Sequence, residues 1–131
     1  MDVYWNGVKI FEVRSTSYDL FTKKMKVKGQ AGRNRLLFRG TGPSNAHGVT
    51  FSNVKGSYGT QNLIKNGDFS SPAIHNQSWK GFPSIPGWKA IGNPIIEILT
   101  GKAFNHHWPK NLQACESDAG HNIDLYQDMY L

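Results

Sequence analysis

Apolar residues in this chain recur at every second position in short runs, and nowhere does a 3.6-residue apolar period persist for three turns. That feature rules out a helical core. Side chains that alternate from one side to the other belong to strands with one buried face, and short strands must be folded back on one another by turns. The turns are legible. Val3–Trp5 and Val8–Val13 flank Asn6-Gly7, the residue pair best suited to the left-handed backbone of a tight hairpin. Asn34–Gly40, Val49–Val54, Ile95–Leu99 and Ile123–Tyr130 read as further strands, with Ala114–Glu116 a short one. Phe21–Lys28 is expected as another, with Phe21, Met25 and Val27 inward and Lys24, Lys26 and Lys28 outward; Lys23 breaks its phase. Residues 70–94 hold four of the six prolines and are expected as one long loop around Trp79 and Trp88. The class is all-β, and about eight short strands at this spacing point to a sandwich or barrel.

With 131 residues the chain is expected to form one domain, 1–131, large enough to bury a core without disulfides or metals. Cys115 is the only cysteine, so it has no partner within the chain and reads as a small buried hydrophobe. No stretch approaches the roughly 18 apolar residues that span a bilayer, so no membrane insertion is expected. The opening Met1-Asp2-Val3-Tyr4-Trp5 lacks the basic and apolar regions of a signal peptide. A net charge of +6 permits attraction to anionic glycans, nucleic acid or membranes without choosing among them.

The segment Asn62-Leu63-Ile64-Lys65-Asn66-Gly67-Asp68-Phe69, followed by Pro86-Gly87-Trp88, resembles the opening of galactose-binding-like jelly-roll modules, a group that includes many carbohydrate-binding modules. Glu116-Ser117-Asp118 and Leu125-Tyr126-Gln127 resemble elements that continue the first half of such a domain. Val3–Val13, Phe21–Lys28, Asn34–Gly40 and Gly48–Val54 resemble its closing strands, yet they come first: 1–56 matches the C-terminal half of the family and 62–131 its N-terminal half. Three arrangements fit this order. The chain is a circular permutant, a window across two tandem repeats, or a subunit whose sandwich is completed by a neighbouring chain.

The resemblance implies an extracellular or cell-surface jelly-roll β-sandwich that binds polysaccharide. Its sugar platform is expected around Trp79, Trp108, His107 and Gln127, since sugar rings stack their C–H faces on flat aromatic side chains while amides bond the hydroxyls. The family also suggests structural calcium near Asp68. Here Ser70, Ser52 and Asn53 stand where that site prefers acids, which weakens it. Adjacent His106-His107, with His47, His75 and His121, offers no zinc-type spacing.

A hydrolase would need paired carboxylates or an activated nucleophile. Glu116 and Asp118 share a face in an extended segment, and Glu97 and Asp124 are further candidates. No nucleophile elbow or HExxH accompanies them, and the reading is of a protein that is not an enzyme. Two other functions stay open. One is a structural fibre or cell-surface subunit assembling head-to-tail as a homo-oligomer or filament. The other is a polyanion binder using Lys23, Lys24, Lys26, Lys28, Arg33, Arg35 and Arg39. No stacked-aromatic RNA motif accompanies these residues, which disfavours nucleic acid. Asn76-Gln77-Ser78 is a glycosylation sequon that suits an exported surface loop.

Overall fold

The structure, a computed structural model, describes residues 1–14, 20–42, 48–92, 94–103, 109, 112–118 and 120–131. Asn6 and Gly7, both at positive φ, turn β1 (Asp2–Trp5) into β2 (Val8–Glu12), as the sequence requires of a two-residue hairpin. The chain continues through β3 (Arg33–Arg39), β4 (Thr50–Phe51) and the small hairpin of β5 (Ser57–Tyr58) with β6 (Gln61–Asn62). It ends with β7 (Trp79–Phe82), β8 (Lys89–Ala90), β9 (Ile96–Thr100), β10 (Gln113–Glu116) and β11 (Asp124–Tyr130).

The fold is all-β. A five-stranded antiparallel sheet runs β2-β1-β3-β11-β8 and a four-stranded one runs β4-β10-β9-β7. Strands from 1–56 and from 62–131 share both sheets: β3 pairs with β11 along seven residues, and β4 pairs with β10. Alternation decides what each strand buries. Leu125, Gln127 and Met129 of β11 face inward, while Asp124, Tyr126 and Asp128 face out. Ile96, Ile98 and Cys115 supply the opposing inner face. Between the sheets Phe51 stacks on Phe38 at 4.3 Å and Phe69 on Trp88 at 5.3 Å, with edge contacts joining the two pairs. Each fully buried Phe or Ile contributes about 1.5–3 kcal/mol, so this cluster is the main source of cohesion.

The structure corrects three expected elements. Phe21–Lys28 forms no ladder; it lies as an irregular, solvent-exposed segment beside edge strand β2. Residues 70–94 are not one loop, because β7 and β8 interrupt them. Their prolines fall outside both strands, so the ladder donors of Trp79–Phe82 are intact. Val49–Val54 shrinks to Thr50–Phe51, since Asn53 at φ +54° leaves the extended region.

Candidate functional site

The segment that carries the family resemblance is a plug for the core. Asn62 Oδ1 accepts from Gly56 N and Ile64 N, which fixes the entry to the turn. Asn66, at φ +52°, donates from Nδ2 to Ser71 O and Pro86 O, both at 2.8 Å, and accepts from Ser71 N. Trp88 donates its indole N–H to Asn66 O at 2.9 Å. Gly67 is required by close approach: a β-carbon there would run into Val54 O, whose own amide donates to Gly67 O. Two buried glutamines then pin the plug to the sheets. Gln127 accepts from Lys65 N at 2.7 Å and donates to Lys65 O at 2.9 Å. Gln113 donates to Phe69 O and Pro72 O and accepts from Ile74 N. Nothing in the sequence around Gln113 marks this role, because a single glutamine between Leu112 and Ala114 looks like any polar strand residue.

The outer face of the four-stranded sheet holds the most unusual chemistry. The register that pairs Cys115 with Ile98 sets Glu116 beside Glu97, with Trp79 opposite Leu99 and Gly81 opposite Glu97. Trp79 is 59% exposed on edge strand β7, whereas Glu116 is 3% exposed. The two glutamate carboxyls are hydrogen-bonded to each other, and Gly48 N donates to Glu116 Oε1 at 3.0 Å. Burial, then the nearby negative charges, push the Glu116 carboxyl up to about 8, and burial raises Glu97 as well. The pair therefore retains a proton to higher pH than an ordinary carboxylate does. Asp118, also buried, adds to the negative field felt by both. Cys115 points to the other side of the strand, and burial pushes its thiol far up, leaving it inert.

On the outer face of the five-stranded sheet Arg35 and Arg39 are matched by acids of the neighbouring strand. Arg35 grips Asp128 with two nitrogens at 2.7 and 3.0 Å, and Arg39 grips Asp124 at 2.9 and 3.0 Å. Arg35 also lies 3.9 Å from the Tyr126 ring centre and Arg39 lies 4.9 Å from that of Tyr4. Arg14 pairs with Asp2 and Glu12. These partners hold the Asp128 and Asp2 carboxyls below their ordinary range. The arginines grouped with the lysines in sequence thus separate from them in space. Asp124, a candidate acid in sequence, is an ion-pair partner and stands on the opposite sheet from Glu97 and Glu116.

The structure does not gather the expected sugar residues into one place. Trp79 stands on the outer face of one sheet, while Gln127 is buried on the inner face of the other with its amide occupied by Lys65. Trp108 and His107 lie outside the described residues, as do His47 and His106. His75 and His121 are exposed and on separate turns. Asn76 is exposed in the loop leading to β7, where its carbonyl accepts from Lys102 Nζ at 3.0 Å.

Near Asp68, the carboxylate accepts from Ser70 N, and Ser52 Oγ donates to Gln113 O at 2.6 Å. A calcium ion takes six to eight oxygens, several of them charged, and the donors gathered around Asp68 do not fit it. Among the described residues no cluster of three or more metal-ligating side chains forms. Comparison with known family models, curated proteins and solved structures finds no match.

Proposed function

We propose that this protein is a non-catalytic, extracellular module that binds neutral glycan at the exposed edge strand β7 of the four-stranded sheet, beside which Leu99, Ala114 and Glu116 are buried. The observation that carries the reading is Trp79, a large flat ring left mostly in water on an edge strand. Burying such a ring is worth several times what burying a methyl group contributes, so leaving it exposed favours a role in contact with a partner. Its surroundings suit a sugar. Asn76 and Gln77 precede it with exposed side chains, and the Glu97 carboxyl lies two strand positions along the same face. The ring would stack on a pyranose face while these groups bond hydroxyls.

The glutamate pair favours binding over hydrolysis. Glycosidases hold their two carboxyls roughly 5–10 Å apart to bracket the scissile bond. Glu97 and Glu116 are hydrogen-bonded to each other, which leaves no room for a substrate atom between them.

A screen of the full chain against neutral and sulfated glycans at two salt concentrations tests the proposal. The expected result is a related set of neutral sugars bound equally at both, with affinity falling at least ~10-fold in Trp79→Ala while the melting temperature holds, as befits an exposed site. Binding only to sulfated glycans, or binding that Trp79→Ala leaves intact, contradicts it. No glycan binding combined with a mass that grows with concentration transfers the function to self-assembly.

A further inference from the structure

The segment 20–28 gathers four lysines that form no ion pair among the described residues, together with the molecule's densest exposed apolar surface. Leu20 and Phe21 are 56% and 61% exposed, and Met25 and Val27 are 40% and 42% exposed. Lys23, Lys24, Lys26 and Lys28 alternate with them and are all exposed. None of these lysines forms an ion pair among the described residues; every described salt bridge uses Lys9, Arg14, Arg35 or Arg39 instead. The segment is held in place along edge strand β2. Phe21 meets Phe11 edge-on at 6.4 Å, Lys23 lies over the Phe11 ring, and Trp5 Nε1 donates to Lys28 O at 2.8 Å. Between segment and hairpin lies an open groove of about 450 Å³ lined by Trp5, Val8, Ile10 and Val27, with the Lys26 and Lys28 stems at its rim. Val8, on the hairpin side, is itself 66% exposed.

We infer that this amphipathic edge docks on the surface of an anionic lipid bilayer. Two features must be met together. Four unpaired lysines call for an anionic partner, and a chain of net charge +6 repels a second copy of itself. A sulfated polysaccharide answers the charge but gains nothing from Phe21, Met25, Val27 and Val8. An anionic bilayer answers both: lysines sit among lipid headgroups while apolar side chains enter the acyl boundary. The arrangement is peripheral and needs no spanning segment. It lies along an edge of the five-stranded sheet, whereas Trp79 is on an edge of the four-stranded one, so glycan and lipid contacts do not compete for residues.

Co-sedimentation of the full chain with vesicles tests it. Phosphatidylcholine vesicles are compared with phosphatidylcholine containing about a third phosphatidylserine, at low and high salt. The structure predicts partition into the anionic vesicles only, weakened by salt. Lys24→Glu with Lys26→Glu should reduce it at least ~10-fold, at about 1 kcal/mol for each lysine lost at the surface and more for each charge reversed. Met25→Ser with Val27→Ser should reduce it by about 5-fold or more at unchanged salt dependence, since each gives up apolar burial. All four positions are exposed and outside any ladder, so near-ultraviolet circular dichroism should match the parent. Partition that responds to the lysines but not to Met25 and Val27, and that a soluble sulfated glycan competes away, overturns the lipid assignment in favour of a polyanion. Absence of partition, or a groove filled by dimerisation in sedimentation velocity, overturns it as well.

Discussion

At the scale of single residues, Glu116 is the most consequential side chain outside the hydrophobic core. Its carboxyl is raised from 4.5 to about 8, chiefly by burial, so the folded state binds more protons than the unfolded chain throughout that window. Stability contributed by the protonated pair is complete below about 4.5, declines as pH rises through the window, and levels off above it. Asp2 and Asp128 act in the opposite sense. Their arginine partners lower them, so their contribution is present above the ordinary carboxylate range and is lost as pH falls through it. Glu116→Gln keeps the shape and the hydrogen bonding but removes the titration. It should flatten the decline and raise stability at pH 8 by on the order of 1–2 kcal/mol, with little change at pH 4.5. Thermal melts of both proteins at the two pH values check this.

At the scale of elements, the irregular stretch 62–88 matters more than any one strand. Its rigidity comes from Asn66, whose side chain makes three hydrogen bonds across a backbone at φ +52° and whose carbonyl receives the Trp88 indole. Asn66→Ala removes the three side-chain bonds and places a β-branch-free but less tolerant residue in the left-handed region. The expected loss is about 2–4 kcal/mol in urea unfolding. Asn76→Ala, in an exposed loop, should stay within about 0.5 kcal/mol.

Sequence reasoning read the regular elements well where turn chemistry was strong. Asn6-Gly7 announced its hairpin, and the alternation in 123–130 announced β11. It read Phe21–Lys28 as a strand because alternation reports which faces differ, not whether a neighbour is present to pair with. It missed β7 and β8 because four prolines nearby outweighed strands of four and two residues. Gly67 and Asn66 stood inside the motif that carried the resemblance, but only the close approach to Val54 and the bonds to Ser71 and Pro86 show what they hold.

At the scale of the whole molecule, charge and aromaticity are divided between surfaces. The five-stranded sheet neutralises Arg35 and Arg39 internally, the segment along β2 leaves its lysines without ion pairs among the described residues, and an edge of the other sheet exposes Trp79. The candidate site was half legible. An exposed tryptophan among amides could be named from sequence, but the Glu97–Glu116 pair could not, since it arises from the register between two strands separated by the whole of 101–112. Gln127 looked equally available for sugar until the inward face of β11 gave its amide to Lys65.

The four tryptophans offer one direct test of the glycan reading. In a two-dimensional nitrogen–proton spectrum each indole gives its own resonance, assigned by replacing each tryptophan with phenylalanine in turn. Trp88 is buried and bonded to Asn66, and Trp5 is bonded to Lys28, so both serve as internal references. Titration with a neutral oligosaccharide identified by the screen should move the Trp79 indole in a saturable manner and leave Trp88 in place. A saturable shift of other resonances with Trp79 unmoved would contradict the proposed site.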